Sequence, residues 1–288
     1  MKHLKTIIAV VLFAATFNFS SAQKKETLEN STLWKIEHAD LQQPSYLLGT
    51  LHILCATDFA IPKKVIETLE KVDALVLEVN LADPQEIKLM QESMSQSKKI
   101  SEELSPKQYQ QLDQLVNKVM GAPLVNFDSY GLSILQFLMI SKMLPCTDFK
   151  YYEMELLASA TKGKKEIFSL EKAADQIETM RKAYPTAFAL DQLMLFDSYK
   201  KDFNEAIQKY KKEDIETTVD LITKDKYMDE NATQYMQVDR NKDWLEKMPQ
   251  MMKERSNLFA VGAAHLTDDY GLIHLLRQKG YTVTPVTH

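Results

Sequence analysis

Residues Ala74-Leu75-Val76-Leu77-Glu78-Val79 are apolar at every position but one. A strand with one wet face alternates apolar and polar residues, whereas so continuous a run is typical of a strand covered on both faces. Upstream, Pro62 opens a helix whose apolar positions Val65, Ile66, Leu69 and Val72 follow helical spacing. Before it, Thr32 to His38 and Tyr46 to Ile53 read as two strands joined across Gln42-Gln43-Pro44. The second strand, the helix and the apolar run make a strand–helix–strand unit of about 35 residues, which suits a parallel crossover.

The other end of the chain repeats the pattern. Asn257 to Val261 is an apolar strand, and Tyr270 to Gln278 is a helix with Leu272, Ile273, Leu275 and Leu276 at its apolar positions. Gly280 ends that helix, and Tyr281 to Val286 alternates as a strand. The middle is helical. Asp83-Pro84 and Ser105-Pro106 are N-cap-then-Pro starts. Helices are expected at 84–96, 106–119, 126–143, 151–162 and 172–183, with more across 188–250. One short strand, Glu166 to Leu170, rejoins the sheet, and the 14 methionines read as core filler. No Gly/Ser linker or charge block divides the chain. Residues 23–288 are therefore expected to form a single α+β domain: a mixed central sheet built from the two terminal units, with a large helical insertion.

Residues 1–22 read as a secretory signal peptide. Lys2 and Lys5 make a basic start, Ile7 to Phe17 are an apolar run too short to span a bilayer, and Ser20-Ser21-Ala22 offers a cut before Gln23. The run lacks the polar face of a retained amphipathic anchor, and no Cys follows the cut to carry a lipid. The expected product is exported, periplasmic or secreted, with no stable membrane insertion. Losing the two lysines takes the formal charge from −5 to −7 over 266 residues. Only Arg181, Arg240, Arg255 and Arg277 are arginine, which argues against a nucleic-acid partner. The chain has 7 glycines where average usage would give roughly 20. They are too scattered for a dinucleotide fingerprint or a P-loop. Cys55 and Cys146 could form one disulfide in an oxidising compartment, although Cys55, three residues past a histidine, could instead serve as ligand or nucleophile.

The glycines matter for where two of them fall. Gly49-Thr50-Leu51-His52 and Gly262-Ala263-Ala264-His265 each follow an apolar strand, one in each terminal unit. Seven glycines and six histidines in 288 positions predict roughly 0.15 Gly-x-x-His pairs by chance. Ligands bind at the carboxyl ends of strands in open sheets, and a glycine there permits a sharp turn and close backbone approach. Glu78 adds a carboxylate among apolar neighbours, which is expensive unless paired, protonated or metal-bound. Two histidines and one carboxylate are a recognised ligand set for a catalytic divalent metal that leaves positions open for water. Glu78 could equally be the general base that takes the water's proton. The alternative is structural, with His52 and His265 packed near strand ends and Glu78 bonded to backbone.

Together, Gly49-Thr50-Leu51-His52, the spacing on to Leu77-Glu78-Val79, Arg240-Asn241 and Val261-Gly262-Ala263-Ala264-His265-Leu266 resemble the TraB/PrgY/GumN family, which includes the Tiki proteins. The resemblance runs from Leu33 to Val286, with the motifs in order. It implies a Tiki-like fold in which His52, His265 and Glu78 surround a divalent metal (Mn, Co or Zn), and Tiki members are metal-dependent proteases. Arg240, with Asn241, would point into the site to bind a substrate carboxylate or a developing oxyanion, the alternative being a helix-surface ion pair with Asp239 or Asp243. The chain departs from the family at Tyr151-Tyr152-Glu153, where Gly-x-Asp is usual, and at Ala264, where Gly is usual. Glu153 is thus a further candidate for the cleft. Tyr46 and Tyr270 flank the two motifs and could line it, or pack in the core. His38, His274 and His288 read as structural or exposed. The resulting expectation is a metal-dependent hydrolase of a peptide or amide. A non-catalytic protein that sequesters a peptide signal, and an esterase using a histidine base, are the alternatives.

Overall fold

Side chains along a strand alternate between the two faces of a sheet, so a strand buried on both faces feeds two cores. The apolar runs do this. Leu75, Leu77, Leu258 and Ala260 enter one apolar cluster, while Val76, Phe259 and Val261 enter the other. A computed structural model describes residues 27–95 and 98–287, so the signal peptide expected over 1–22 and His288 lie outside the described residues. Eight strands are present among them: β1 Leu33–Glu37, β2 Ser45–Thr50, β3 Ile53–Cys55, β4 Ala74–Leu77, β5 Phe149–Tyr151, β6 Glu166–Ser169, β7 Asn257–Gly262 and β8 Thr282–Pro285. Six form one mixed sheet in the order β6-β4-β7-β2-β1-β8. β6, β4, β7 and β2 are parallel, and β1 runs antiparallel to both β2 and β8. β3 and β5 form a separate antiparallel ribbon.

The fold is α+β, as its patterning implies. The helices are α1 Lys63–Lys71, α2 Pro84–Ser95, α3 Ile100–Glu103, α4 Pro106–Met120, α5 Gly131–Ile140, α6 Tyr152–Lys162, α7 Ala173–Ala183, α8 Thr186–Met194, α9 Phe196–Tyr210, α10 Ile215–Ile222, α11 Glu230–Thr233, α12 Arg240–Glu254 and α13 Leu272–Gln278. Ser105 caps α4 through a reciprocal capping box with Gln108, and Gly280 turns the chain past α13 at φ +91°. Both β2–α1–β4 and β7–α13–β8 are strand–helix–strand units. β7 inserts between β2 and β4, so the two ends of the chain share one sheet. Buried Lys64 on α1 reinforces that closure by donating to Ser31 Oγ, Glu213 Oε2 and the Val286 carbonyl.

Four details differ from the sequence pattern. The strand expected to run from Tyr46 to Ile53 stops at Thr50, the last residue of β2 with a partner on β7, and the chain leaves the sheet to pair as β3 with β5. The start expected for the helix at 151 belongs to that ribbon. Glu78 lies just past β4 rather than within it. The helix expected over 126–143 is a 3₁₀ segment, Leu124–Tyr130, followed by α5, the two joined at Gly131 with φ +74°.

Candidate active site

The register of the three central strands brings their carboxyl ends together. Gly49 lies opposite Val261, Thr50 opposite Gly262, and on the other side of β7 Leu77 lies opposite Ala260. The two Gly-x-x-His motifs therefore leave the sheet side by side, with Glu78 adjacent. A side chain on Gly49 would meet Ile215 Cδ1 at 2.8 Å and the Ala263 backbone at 3.3 Å, so a residue without Cβ is what lets the motifs touch.

Gly262 is the focus. A Cβ there would stand 3.1 Å from His52 Nε2 and 3.4 Å from Glu78 Oε1, and its N–H donates to that same Glu78 oxygen at 2.7 Å. His265, in the 3₁₀ turn that follows β7, places Nε2 3.8 Å from Glu78 Oε1.

α12 supplies the other half of the site. Trp244, Leu245, Met248 and Met252 pack into the second apolar cluster, which delivers Arg240 and Asn241 at the helix start to the strand ends. A π-helical turn, Gln234–Asp239, precedes them. Asn241 Nδ2 donates to the carbonyls of Tyr270 (2.7 Å) and His265 (3.3 Å), so its Oδ1 must accept from His265 Nδ1 at 2.7 Å. That leaves the lone pair on His265 Nε2, and Arg240 Nη1 donates to it at 3.0 Å. Burial and the neighbouring Arg240 push the His265 pKa down to about 3, so the ring is neutral.

Arg240 is no surface residue paired with Asp239 or Asp243; only 6 % of it is exposed. Nη2 donates to Glu78 Oε2 and Glu171 Oε1, both at 2.6 Å, and Nε to Glu171 Oε2 at 3.2 Å. Nη1 also reaches the Met236 carbonyl at 3.1 Å. Gln176 Nε2 bridges the two carboxylates at 3.0 and 2.9 Å. Burial alone would push the Glu78 carboxyl up, but Arg240 and its other neighbours outweigh it and hold the group well below the usual carboxylate range.

His52 is wired differently. Its ring is 61 % exposed, and Nδ1 meets Glu153 Oε1 at 2.7 Å. The same oxygen accepts from Thr50 Oγ1 at 2.5 Å. Glu153 stands in the first turn of α6, just past β5, and His52 just before β3. The Ile53–Tyr151 pairing of that ribbon and the Tyr152 N–H to His52 carbonyl bond (3.0 Å) hold them together. The Glu153 carboxylate is the main reason the His52 pKa is pushed up to about 9. Replacing Glu153 by Gln is expected to return the His52 titration toward 6.5, lowering its midpoint by at least about one unit in an NMR pH series. An unmoved midpoint would mean that solvent fully screens the pair.

Cys55 and Cys146 are joined by a disulfide beyond the opposite end of this ribbon. Tyr46 stands at the other end of β2, away from the cluster, and packs against the first apolar core. Tyr270 contributes its carbonyl to Asn241, the His38 ring lies tilted against Tyr281, and His274 bonds Gln278 on the surface. Sequence patterning did not single out Glu171, Gln176 or Thr50. Glu171 had a signal, since it follows the short strand β6 much as Glu78 follows β4, and the Glu171 N–H donates to the Glu78 carbonyl at 3.0 Å.

Among the described residues, no three His, Cys, Asp or Glu side chains stand ready to hold an ion. The chemistry of the donor set nonetheless fits a divalent metal: His52 and Glu78 line a cradle that a Cβ on Gly262 would fill, and His265 Nε2 lies 3.8 Å from Glu78 Oε1. Arg240 engages both His265 Nε2 and Glu78 Oε2.

Among the described residues, no helix is long and apolar enough to cross a membrane. A protein-family comparison matches residues 32–285, nearly the whole chain, to the TraB/PrgY/gumN family. No curated protein and no solved structure gives a match.

Proposed function

We propose that this chain, which belongs to the TraB/PrgY/gumN family, is an exported hydrolase that cleaves a peptide or similar amide with a divalent ion held by His52, Glu78 and His265. The observation that carries this reading is the meeting of both motif histidines at Glu78, with His52 and Glu78 against Gly262 and His265 Nε2 3.8 Å from Glu78 Oε1, at the ends of three parallel strands. When bound, a Mn, Co or Zn ion would polarise the scissile carbonyl and lower the pKa of a water.

The chain's own residues do the rest. Glu153 orients His52 through Nδ1 with Nε2 toward Gly262, and Asn241 orients His265 through Nδ1 with Nε2 on the side of Glu78. Glu78, ionised and anchored by the Gly262 N–H, is a ligand or the base that takes the water's proton. Arg240 places positive charge where an oxyanion would develop. The disulfide and the basic, apolar start of the sequence support export to an oxidising compartment.

The test uses the purified chain beginning at Gln23. Metal content is measured after dialysis, and a peptide library and chromogenic esters are then incubated with the protein and analysed by mass spectrometry. New peptide termini that vanish with chelator, and that His52→Ala and His265→Ala each abolish, are the expected result. Peptide recovered intact in a stoichiometric complex would favour sequestration, and turnover of esters alone an esterase. Failure to take up Mn, Co or Zn, with both alanine variants indistinguishable from the native chain, would sink the proposal.

A further inference from the structure

His265 Nε2 carries one lone pair, and Arg240 Nη1 occupies it. The ring cannot escape by turning over. Asn241 Nδ2 is committed to two carbonyls, so only a protonated ring nitrogen can face Asn241 Oδ1. Glu78 is held at both oxygens, Oε1 on the Gly262 N–H and Oε2 on Arg240 Nη2 and Gln176 Nε2, while His52 is engaged through Nδ1 and, among the described residues, its Nε2 has no hydrogen-bond partner. Arg240, for its part, does not need His265. Two of its nitrogens grip both oxygens of Glu171, and Nη1 retains the Met236 carbonyl.

We infer that Arg240 is a displaceable cation: its guanidinium and a divalent ion are alternative occupants of His265 Nε2. The inference rests on the metal reading above and deepens it. Without an ion, the guanidinium offsets the buried charge of Glu78 and Glu171. With one, Nη1 would leave the ring while Glu171 and the Met236 carbonyl hold the guanidinium in place. Arg240 thereby lowers affinity for the ion, since loading must break its bond to His265 and bring two cations together.

The test is ion affinity rather than turnover. Mn, Co and Zn are titrated into the native mature chain and into Arg240→Lys, whose ammonium can balance the carboxylates but lacks the fork that reaches His265 as well. The Lys variant should bind about tenfold more tightly or better, the worth of one hydrogen bond from a charged donor that loading no longer has to break. In case that variant fails to fold, ring-nitrogen NMR on the native protein provides a second measurement. Adding Zn should shift His265 Nε2 and leave its Nδ1–H bond to Asn241 in place. If the native chain binds the ion while the Lys variant binds no tighter, or while His265 Nε2 does not shift, the competition is wrong and the metal reading survives. If neither protein binds any of the three ions, the metal reading fails first.

Discussion

Glu78→Gln is expected to lower hydrolysis by about a thousandfold, equivalent to about 4 kcal/mol of transition-state stabilisation, while leaving the chain folded. Gln preserves the shape and the oxygen that accepts from the Gly262 N–H. It brings an NH₂ against Arg240 Nη2, however, and has neither the charge for an ion nor the basicity for a water's proton. Removing one partner of a buried ion pair usually costs about 3–5 kcal/mol, because the other charge is left uncompensated. Arg240 keeps Glu171, so the loss here should be nearer 1–3 kcal/mol, roughly that of an unsatisfied buried hydrogen-bonding group. Activity on a cleaved library peptide and urea unfolding, measured on the same preparation, check both parts. A Gln variant within about tenfold of native activity would remove Glu78 from the chemistry.

The second large effect concerns stability. Cys55 and Cys146 are 91 positions apart with their Cα atoms at 5.9 Å. Closing so long an interval in the unfolded chain corresponds to a little under about 5 kcal/mol in the chain-entropy model, and native disulfides generally deliver less. Cys55→Ser with Cys146→Ser should therefore lower unfolding free energy by about 3–4 kcal/mol. The loss should be visible as a lower urea midpoint that reductant does not shift further. The ribbon adds a local consequence, because β3 and β5 share three residue pairs, with the disulfide beyond one end and His52–Glu153 at the other. Loosening it should also draw the His52 titration toward 6.5. A Ser pair with native stability would show that packing around buried Cys55 fixes the ribbon without the bond.

Much of this architecture was legible because it is apolar and periodic. Leu75 to Leu77 and Leu258 to Val261 announce doubly covered strands, and the glycines of the two motifs mark where they end. The site was legible only where a rare residue stood at a fixed spacing. His52 and His265 stood out because glycine is scarce, Glu78 because its neighbours are apolar. Thr50, Gln176 and Glu171 are ordinary polar residues, and what makes them part of the site is the sheet order, which no local pattern encodes. The same holds for Arg240: in a chain rich in surface charge, nothing in Asp239-Arg240-Asn241 distinguishes a buried arginine from an exposed one. The ribbon was missed for a related reason, since three-residue strands fall below the length at which alternation can be counted.

β7, residues 257–262, lies between β4 and β2. A chain made from its N-terminus must therefore wait until residues 257–262 exist before β2 and β4 can be joined. Until then β2 and β4 each present an open apolar edge, the kind of template on which chains add to one another. Such a polypeptide is at its most vulnerable to aggregation while nascent.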